Sequence, residues 1–377
     1  MRITVALLSF TAAFLVGSSG EAAETALIQA VTIGRNTFNP TARQTTQIGA
    51  AFDTAGRATV LIVDRDGYLV RTLAADTAVK AGSSDWLWDG RNDRGAIVPD
   101  EAYSVKIDWR SGSKRATYFP ANAPAAMQSI PIRYYDRQSG TLLYMLPKPS
   151  RVHVQSGSAV VDKETSVAEG PVLKTIVNRE PRAAGSIAEH WNGYDASGTI
   201  YVPDVPNFVI SVAASPLPAN SIIAIGNKTS SFFDQAVMRK ARSLFTYEAR
   251  SHVHHTGLTA SADVSPELSI HPKGLTWSAR ERAWIVDGSA VTFSIAPSGA
   301  AAATFVGEPG RIFHFVNYKL VGERQPVPGN KTVIPVSALQ CGANTISVNW
   351  RSDYGAVAAN SFRVLVNKRT VCRDGTR

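Results

Sequence analysis

His252, His254 and His255 form the densest group of metal-ligating side chains in the chain. On an extended strand, residues two apart share a face, so His252 and His254 could both ligate zinc or copper. His271 could join from nearby and Glu248 is the nearest carboxylate, but no Cys, Asp or Glu stands at supporting spacing within the group. The competing reading is a polar loop between Ser251 and Thr256. A second set, Asp64, Asp66, Asp89, Asn92 and Asp93, raises calcium. Asp64-Arg65-Asp66-Gly67 has the opening acidic positions of a calcium loop and lacks the later ligands and the distal Glu. Turn formation by Asp and Asn explains these residues more simply. There is no Gly-x-Ser-x-Gly, no His-Glu-x-x-His and no phosphate loop, and nothing nominates a pair of carboxylates for glycoside hydrolysis.

The tryptophans offer recognition rather than catalysis. Trp86 and Trp88 alternate along one strand, which places both rings on the same face. Trp88 and Trp191 are expected between packed sheets. Trp86, whose counterpart in a repeat described below is Glu189, is the candidate ligand platform, suited to a carbohydrate. The only two cysteines, Cys341 and Cys372, lie 31 residues apart near the C-terminus. In an oxidising compartment such an isolated pair reads as a structural disulfide worth roughly 3 kcal/mol.

The compartment is read from the N-terminus. Arg2 precedes an apolar run from Val5 to Val16, and small residues lead to Gly20-Glu21-Ala22-Ala23, the pattern of a cleaved secretory signal. The run is too short to span a bilayer, and no later stretch reaches the length of a membrane helix. With 39 Lys and Arg against 30 Asp and Glu, the net charge is +9. That favours anionic surface polymers as partners. No basic run interleaved with aromatics indicates nucleic acid, and none is expected as a partner.

The elements that would carry these residues are strands. Ala58 to Val63 and Tyr68 to Leu73 flank an Asp-Gly turn, and Tyr103 to Trp109 alternates cleanly. The pattern recurs at one offset of 103 residues: Val70 to Leu73 matches Leu173 to Ile176, Gly82 matches Gly185, Trp88-Asp89-Gly90 matches Trp191-Asn192-Gly193, and Gly95 matches Gly198. A period near 100 residues is a duplicated domain. Further candidate strands are Ser221 to Ile225, Val291 to Ile295, Ile312 to Leu320, Thr332 to Val336, Asn344 to Trp350 and Ser361 to Asn367. One short helix is expected over 232–250.

The run from Phe38-Asn39-Pro40 through the Asp64 to Gly67 turn, Val70 to Leu73, Gly82, Trp88-Asp89-Gly90, Gly95 and Tyr103 resembles the Ig-like domain of bacterial flagellar hook-capping proteins. The resemblance covers 38–109 and, more weakly, 150–213. The second copy departs from it, with Glu169-Gly170 for Asp66-Gly67 and Asn192 for Asp89. Leu339 to Val366 is similar to the closing strands of bacterial surface Ig-like modules. The resemblance implies a fold and a scaffold or adaptor role, with Trp88, Gly90, Gly95, Trp191, Gly193 and Gly198 as structural residues. The export signal argues against the hook cap itself, whose parts leave without a cleaved signal.

The expected protein is therefore all-β, with tandem immunoglobulin-like sandwiches and one short helical segment. Its expected parts are a signal peptide (1–23), a first module (24–112), a linker and hairpin (113–149), a divergent second module (150–214), an irregular connector (215–260) and a disulfide-closed C-terminal sandwich (261–377). The expected function is that of an exported, non-enzymatic scaffold or adhesion-type protein of the cell envelope, periplasmic or outside, that binds a protein partner and needs no cofactor. The alternatives are a carbohydrate- or polyanion-binding surface protein and a metal-dependent enzyme built on His252, His254 and His255.

Overall fold

The computed structural model describes residues 27–122, 127–161, 168–230, 232, 243–244, 266–299, 302–327, 329–353 and 355–366. These are predominantly strand, with a short helix at Ala302–Val306, so the chain is all-β. The helix expected over 232–250 lies outside the described residues apart from Phe232, Ser243 and Leu244.

The first module is assembled from β1 (Ile28–Ile33), β2 (Thr37–Phe38), β3 (Thr46–Phe52), β4 (Gly56–Val63), β5 (Leu69–Val79), β6 (Gly82–Trp88), β7 (Glu101–Ser111) and β8 (Lys114–Tyr118). One sheet has the order β1-β3-β6, and β4 lies between β5 and β7 in the facing sheet, with β8 beside β7. Period-2 alternation decides which side chains enter the core. Along β7, Tyr103, Val105, Ile107 and Trp109 all point inward and are at most 2% exposed. They meet Ile48, Val60, Ile62 and Trp88 from the other strands.

The second module contains β9 (Gln128–Ser129), β10 (Ile132–Asp136), β11 (Thr141–Leu146), β12 (Ser150–Ser158), β13 (Val160–Val161), β14 (Ala168–Glu169), β15 (Val172–Arg182), β16 (Gly185–His190) and β17 (Phe208–Pro216). Its sheets run β10-β11-β16 and β15-β12-β17-β9, with β13 and β14 paired as a separate ribbon. The segment 113–149, expected as linker and hairpin, supplies β8 to the first module and β9, β10 and β11 to the second.

The chain then returns to the first module. β18 (Ile222–Ala224) lies antiparallel beside β7 and parallel beside β2, so the larger sheet runs β2-β18-β7-β4-β5. Ile222, Ile223 and Ala224 are buried there. Asn227 secures the exit, donating from Nδ2 to the carbonyls of Ile97 (3.2 Å) and Val98 (3.0 Å), while its N–H donates to Asp100 Oδ1 at 2.6 Å. The strand expected at 221–225 therefore forms, and it completes a sheet that began 185 residues earlier, at Thr37.

The third module is made of β19 (Glu267–Lys273), β20 (Thr276–Ser278), β21 (Ala283–Val286), β22 (Ala290–Ser298), β23 (Gly310–Val316), β24 (Lys319–Arg324), β25 (Lys331–Pro335), β26 (Gly342–Ser352) and β27 (Val357–Val366). Its sheets run β19-β22-β25 and β20-β21-β27-β26-β23-β24. They enclose Phe293, Ile312, Ile346, Val348, Trp350 and Val364.

His314 of β23 is buried in this core beside Phe293, with Nε2 3.0 Å from Thr332 Oγ1. Burial, aided by the Arg324 guanidinium, pushes its pKa down to about 4. In the unfolded chain the ring titrates near 6.5, so between these values the unfolded state binds more protons and stability falls as pH falls. The loss from this residue is expected to begin below about pH 6.5, finish near pH 4 and reach about 3 kcal/mol. Urea unfolding of the parent and His314→Leu across that window measures it. The variant should be less stable at neutral pH and flatter in acid.

Candidate functional site

The residues of the recurring Trp-x-Gly motif build a corner held by hydrogen bonds to the backbone. In the first module Trp88 is fully buried, donates from Nε1 to the Arg91 carbonyl at 3.0 Å and lies edge-on to both Phe38 and Tyr103. In the second, Trp191 Nε1 donates to the Tyr194 carbonyl at 2.9 Å. The bonds around each Trp also correspond. Asp89 Oδ1 caps the Arg91 N–H and Asn192 Oδ1 caps the Tyr194 N–H, so the Asp-to-Asn change preserves the acceptor. Asp93 N–H reaches the Val70 carbonyl, as Ala196 N–H reaches that of Leu173, each at 2.9 Å. Val98 N–H bonds to Gly90 O, as Val202 N–H does to Gly193 O.

Gly90 and Gly193 are required for conformation and space. Their φ values are +71° and +82°. A Cβ would lie 2.4 Å from Pro40 Cβ at Gly90 and 2.3 Å from the Tyr201 ring at Gly193. Gly95 and Gly198 need only the turn conformation, with φ of +80° and +73° and open space around them. Tyr103 adds a bond from its hydroxyl to the Pro99 carbonyl at 2.9 Å, which Phe208 cannot make. The hairpins differ most. Asp64 N–H closes on Tyr68 O in the first module, and Ser158 N–H closes on Pro171 O in the second, where β13 and β14 lengthen the turn.

The acidic residues considered for calcium hold backbone. Asp64 Oδ1 accepts from the N–H groups of Asp66 (2.9 Å) and Tyr68 (3.0 Å). Asn92 Oδ1 accepts from those of Arg94 and Ala96, and Asp93 Oδ1 from that of Thr72, all at 3.0 Å. Among the described residues, no three His, Cys, Asp or Glu side chains gather as metal ligands. His252, His254 and His255 lie outside the described residues, as do the signal segment and Cys372. His271 is exposed on β19. Cys341 immediately precedes β26. Trp86 does share a face with Trp88, and it is half-buried in the first core with its ring edge-on to Phe52 at 6.4 Å. Among the described residues the exposed tryptophan is Trp277, 48% exposed on β20, which sequence reasoning did not single out.

Two fully buried polar residues, Glu101 and Asn349, help to join the modules. Glu101, at the start of β7, accepts through Oε2 from Arg65 Nη1 at 3.0 Å and through Oε1 from Arg151 Nη1 of the second module. It is 2% exposed. Between the second and third modules, Asn349 uses its whole amide. Oδ1 accepts the Val172 N–H and Nδ2 donates to the Val172 carbonyl, both at 2.7 Å. One side chain thereby pairs with the edge of β15 as a neighbouring strand would. Tyr318 of the third module packs on the Leu173, Trp191 and Val202 cluster of the second.

These sheets and cores define immunoglobulin-like β-sandwiches. Residues 36–113 match the family model of the FlgD Ig-like domain, in the region where the sequence resembles hook-capping proteins. The curated proteins include no match to the sequence. Among solved structures, the fibronectin(III)-like modules of Clostridium thermocellum CbhA are 10% identical, with coverage of 92% of this chain and 98% of that one, at a TM-score of 0.20. Trypsin-activated α2-macroglobulin from Escherichia coli is also 10% identical at a TM-score of 0.20, and the match spans 91% of this chain and only 24% of that protein. A tetra-tandem repeat from the extending region of a large adhesion protein gives 13% identity, coverage of 88% and 72%, and a TM-score of 0.18. At such scores these likenesses add nothing to the fold, which stands on this chain's own sheets and cores. Among the described residues no helix is long and apolar enough to cross a membrane.

Proposed function

We propose that the chain is an exported, non-enzymatic scaffold of the bacterial cell envelope, in which the second module is a divergent copy of the first and the three modules together present strand edges to a protein partner. The observation that carries this reading is the way the modules are joined. Glu101 between two arginines and Asn349 on the Val172 backbone are buried, directional contacts, and such contacts fix orientation where apolar surfaces alone would slide. A scaffold needs fixed spacing. The docking element is β24, the edge of the six-stranded sheet, with Leu320 and Val321 exposed at 38% and 45%. Among the described residues no strand pairs with its outer edge, which leaves that edge for a partner's strand.

The test is capture from cell envelopes by the mature chain in high salt, compared with Val321→Lys. A defined partner retained by the parent and lost from the variant supports the proposal. Equal capture by both sinks β24 as the docking element. Recovery of hydrolytic or redox activity from the purified protein sinks the scaffold reading itself.

Export carries with it a Cys341–Cys372 disulfide that ties the start of β26 to the C-terminal tail, stabilising by roughly 3 kcal/mol in the chain-entropy view. Thiol titration of the denatured, unreduced protein is expected to find no reactive group. Two free thiols would remove both the bridge and an argument for an oxidising compartment.

A further inference from the structure

The third module ends its larger sheet on an aromatic pair. In the β20–β21 hairpin Trp277 stands directly opposite Trp284. The rings meet edge to face, 5.5 Å apart with planes inclined at 63°. Trp284 is half-buried against the core, and on the other side of the hairpin it adjoins Val364 of β27. It therefore fixes Trp277 in place. β20 is the last strand of the sheet among the described residues, so none of these strands lies beyond Trp277. Trp277 is thus a large aromatic held about half in water by a half-buried partner, and an exposed, fixed ring of this kind suits a recognition surface.

The surroundings select the occupant. The turn between the two strands carries Arg280 and Arg282, three residues after Trp277 and two before Trp284. The Arg280 side chain is 93% exposed, and it pairs with adjacent Glu281 at 3.6 Å, a pair worth little in water. Arg282 is exposed and held at a φ of +49°, and Lys273 is exposed on β19. An aromatic face attracts the slightly positive C–H face of a pyranose ring, and guanidinium groups pair bidentately with carboxylates.

We propose that Trp277, with Arg280 and Arg282, forms a binding site for an acidic polysaccharide whose sugar ring stacks on the indole while its carboxylate meets the turn. This goes beyond the protein-scaffold reading and uses a different edge of the third module, β20 rather than β24.

Affinity electrophoresis of the full mature chain through gels containing polygalacturonate tests the site, with dextran as the neutral control. The parent is expected to be retarded by polygalacturonate and not by dextran. Trp277→Ala should weaken retention about tenfold, while Trp277→Tyr should retain most of it. Arg280→Ala/Arg282→Ala should weaken it and reduce its dependence on salt. Trp277 sits half-exposed at an edge, so unchanged thermal unfolding of the alanine variant separates lost binding from lost folding. No retention of the parent, equal retention of parent and Trp277→Ala, or equal retardation by dextran would each overturn the proposal. None of these outcomes depends on whether a protein partner docks at β24.

Discussion

Replacing Glu101 by Gln is expected to lower unfolding free energy by about 3–5 kcal/mol, among the largest effects of any single substitution in this chain. The carboxylate lies between Arg65 and Arg151, whose side chains are only 7% and 15% exposed. It also accepts the Ala102 N–H at 2.6 Å, and the Arg65 guanidinium rests 4.4 Å above the Phe232 ring. Gln keeps the shape and removes the charge. Arg65 and Arg151 then both lose the carboxylate that bonds them, and removal of one partner from a buried ionic cluster is far more costly than the cluster itself is stabilising. Because Arg151 belongs to the second module, the variant should also loosen the contact between the first two modules. Urea unfolding followed by tryptophan fluorescence gives the energy, and limited proteolysis near residues 119–127 reports the loosening. A loss under about 1 kcal/mol would mean that water reaches the cluster and screens it. Glu101→Leu combined with Arg151→Leu should recover part of the loss, because it removes one of the stranded charges.

Ile222→Asp is expected to unfold the first module while the third survives. Ile222 is fully buried, and its strand pairs with Tyr103, Ala102 and Glu101 on one side and with Thr37 and Phe38 on the other. A carboxylate there has no cationic partner on β18 and displaces an isobutyl-sized group from the core. The combined cost exceeds about 4 kcal/mol. Loss of β18 also strips ladder bonds from β2 and β7, including Ile223 N–H to Asn36 O at 2.7 Å and Ile225 N–H to Phe38 O at 3.0 Å. Hydrogen exchange distinguishes this from general destabilisation. Amides of β4 and β7 should lose protection while those of β23 and β26 keep theirs, because the third core shares no residue with the first. Retained protection in β4 and β7 would show that the matched 36–113 region is stable without its returning strand.

Much of this was legible in the residues. An apolar run beside an Asp-Gly turn identified β4, alternation identified β7, and β22, β26 and β27 fall on the candidate strands between turn residues, because one buried face imposes a period of two on a strand. The Trp-x-Gly repeat predicted corresponding corners, and the indole bonds to Arg91 and Tyr194 show why those residue types recur at that spacing. Trp88 reads as core because a buried Trp on an alternating strand has one inward direction.

What the sequence by itself determined was the class of fold, the recurrence of the Trp-x-Gly pattern and the conformational role of Gly90 and Gly193, since each is encoded in local periodicity or in a backbone angle. Tertiary structure alone decided three things. It returned β18 to the first module, because the pairing of strands more than a hundred residues apart leaves no periodic trace. It placed Glu101 between arginines from two modules and Asn349 on the Val172 backbone, because a polar residue within a strand reads as solvent-facing until another module covers it. It also settled which tryptophan stays wet. Trp86 and Trp277 both stand on edge strands with another ring edge-on beside them, and exposure depends on whether the side chain reaches a core: Trp86 packs against the first core, whereas Trp277 lies outside the third and is 48% exposed.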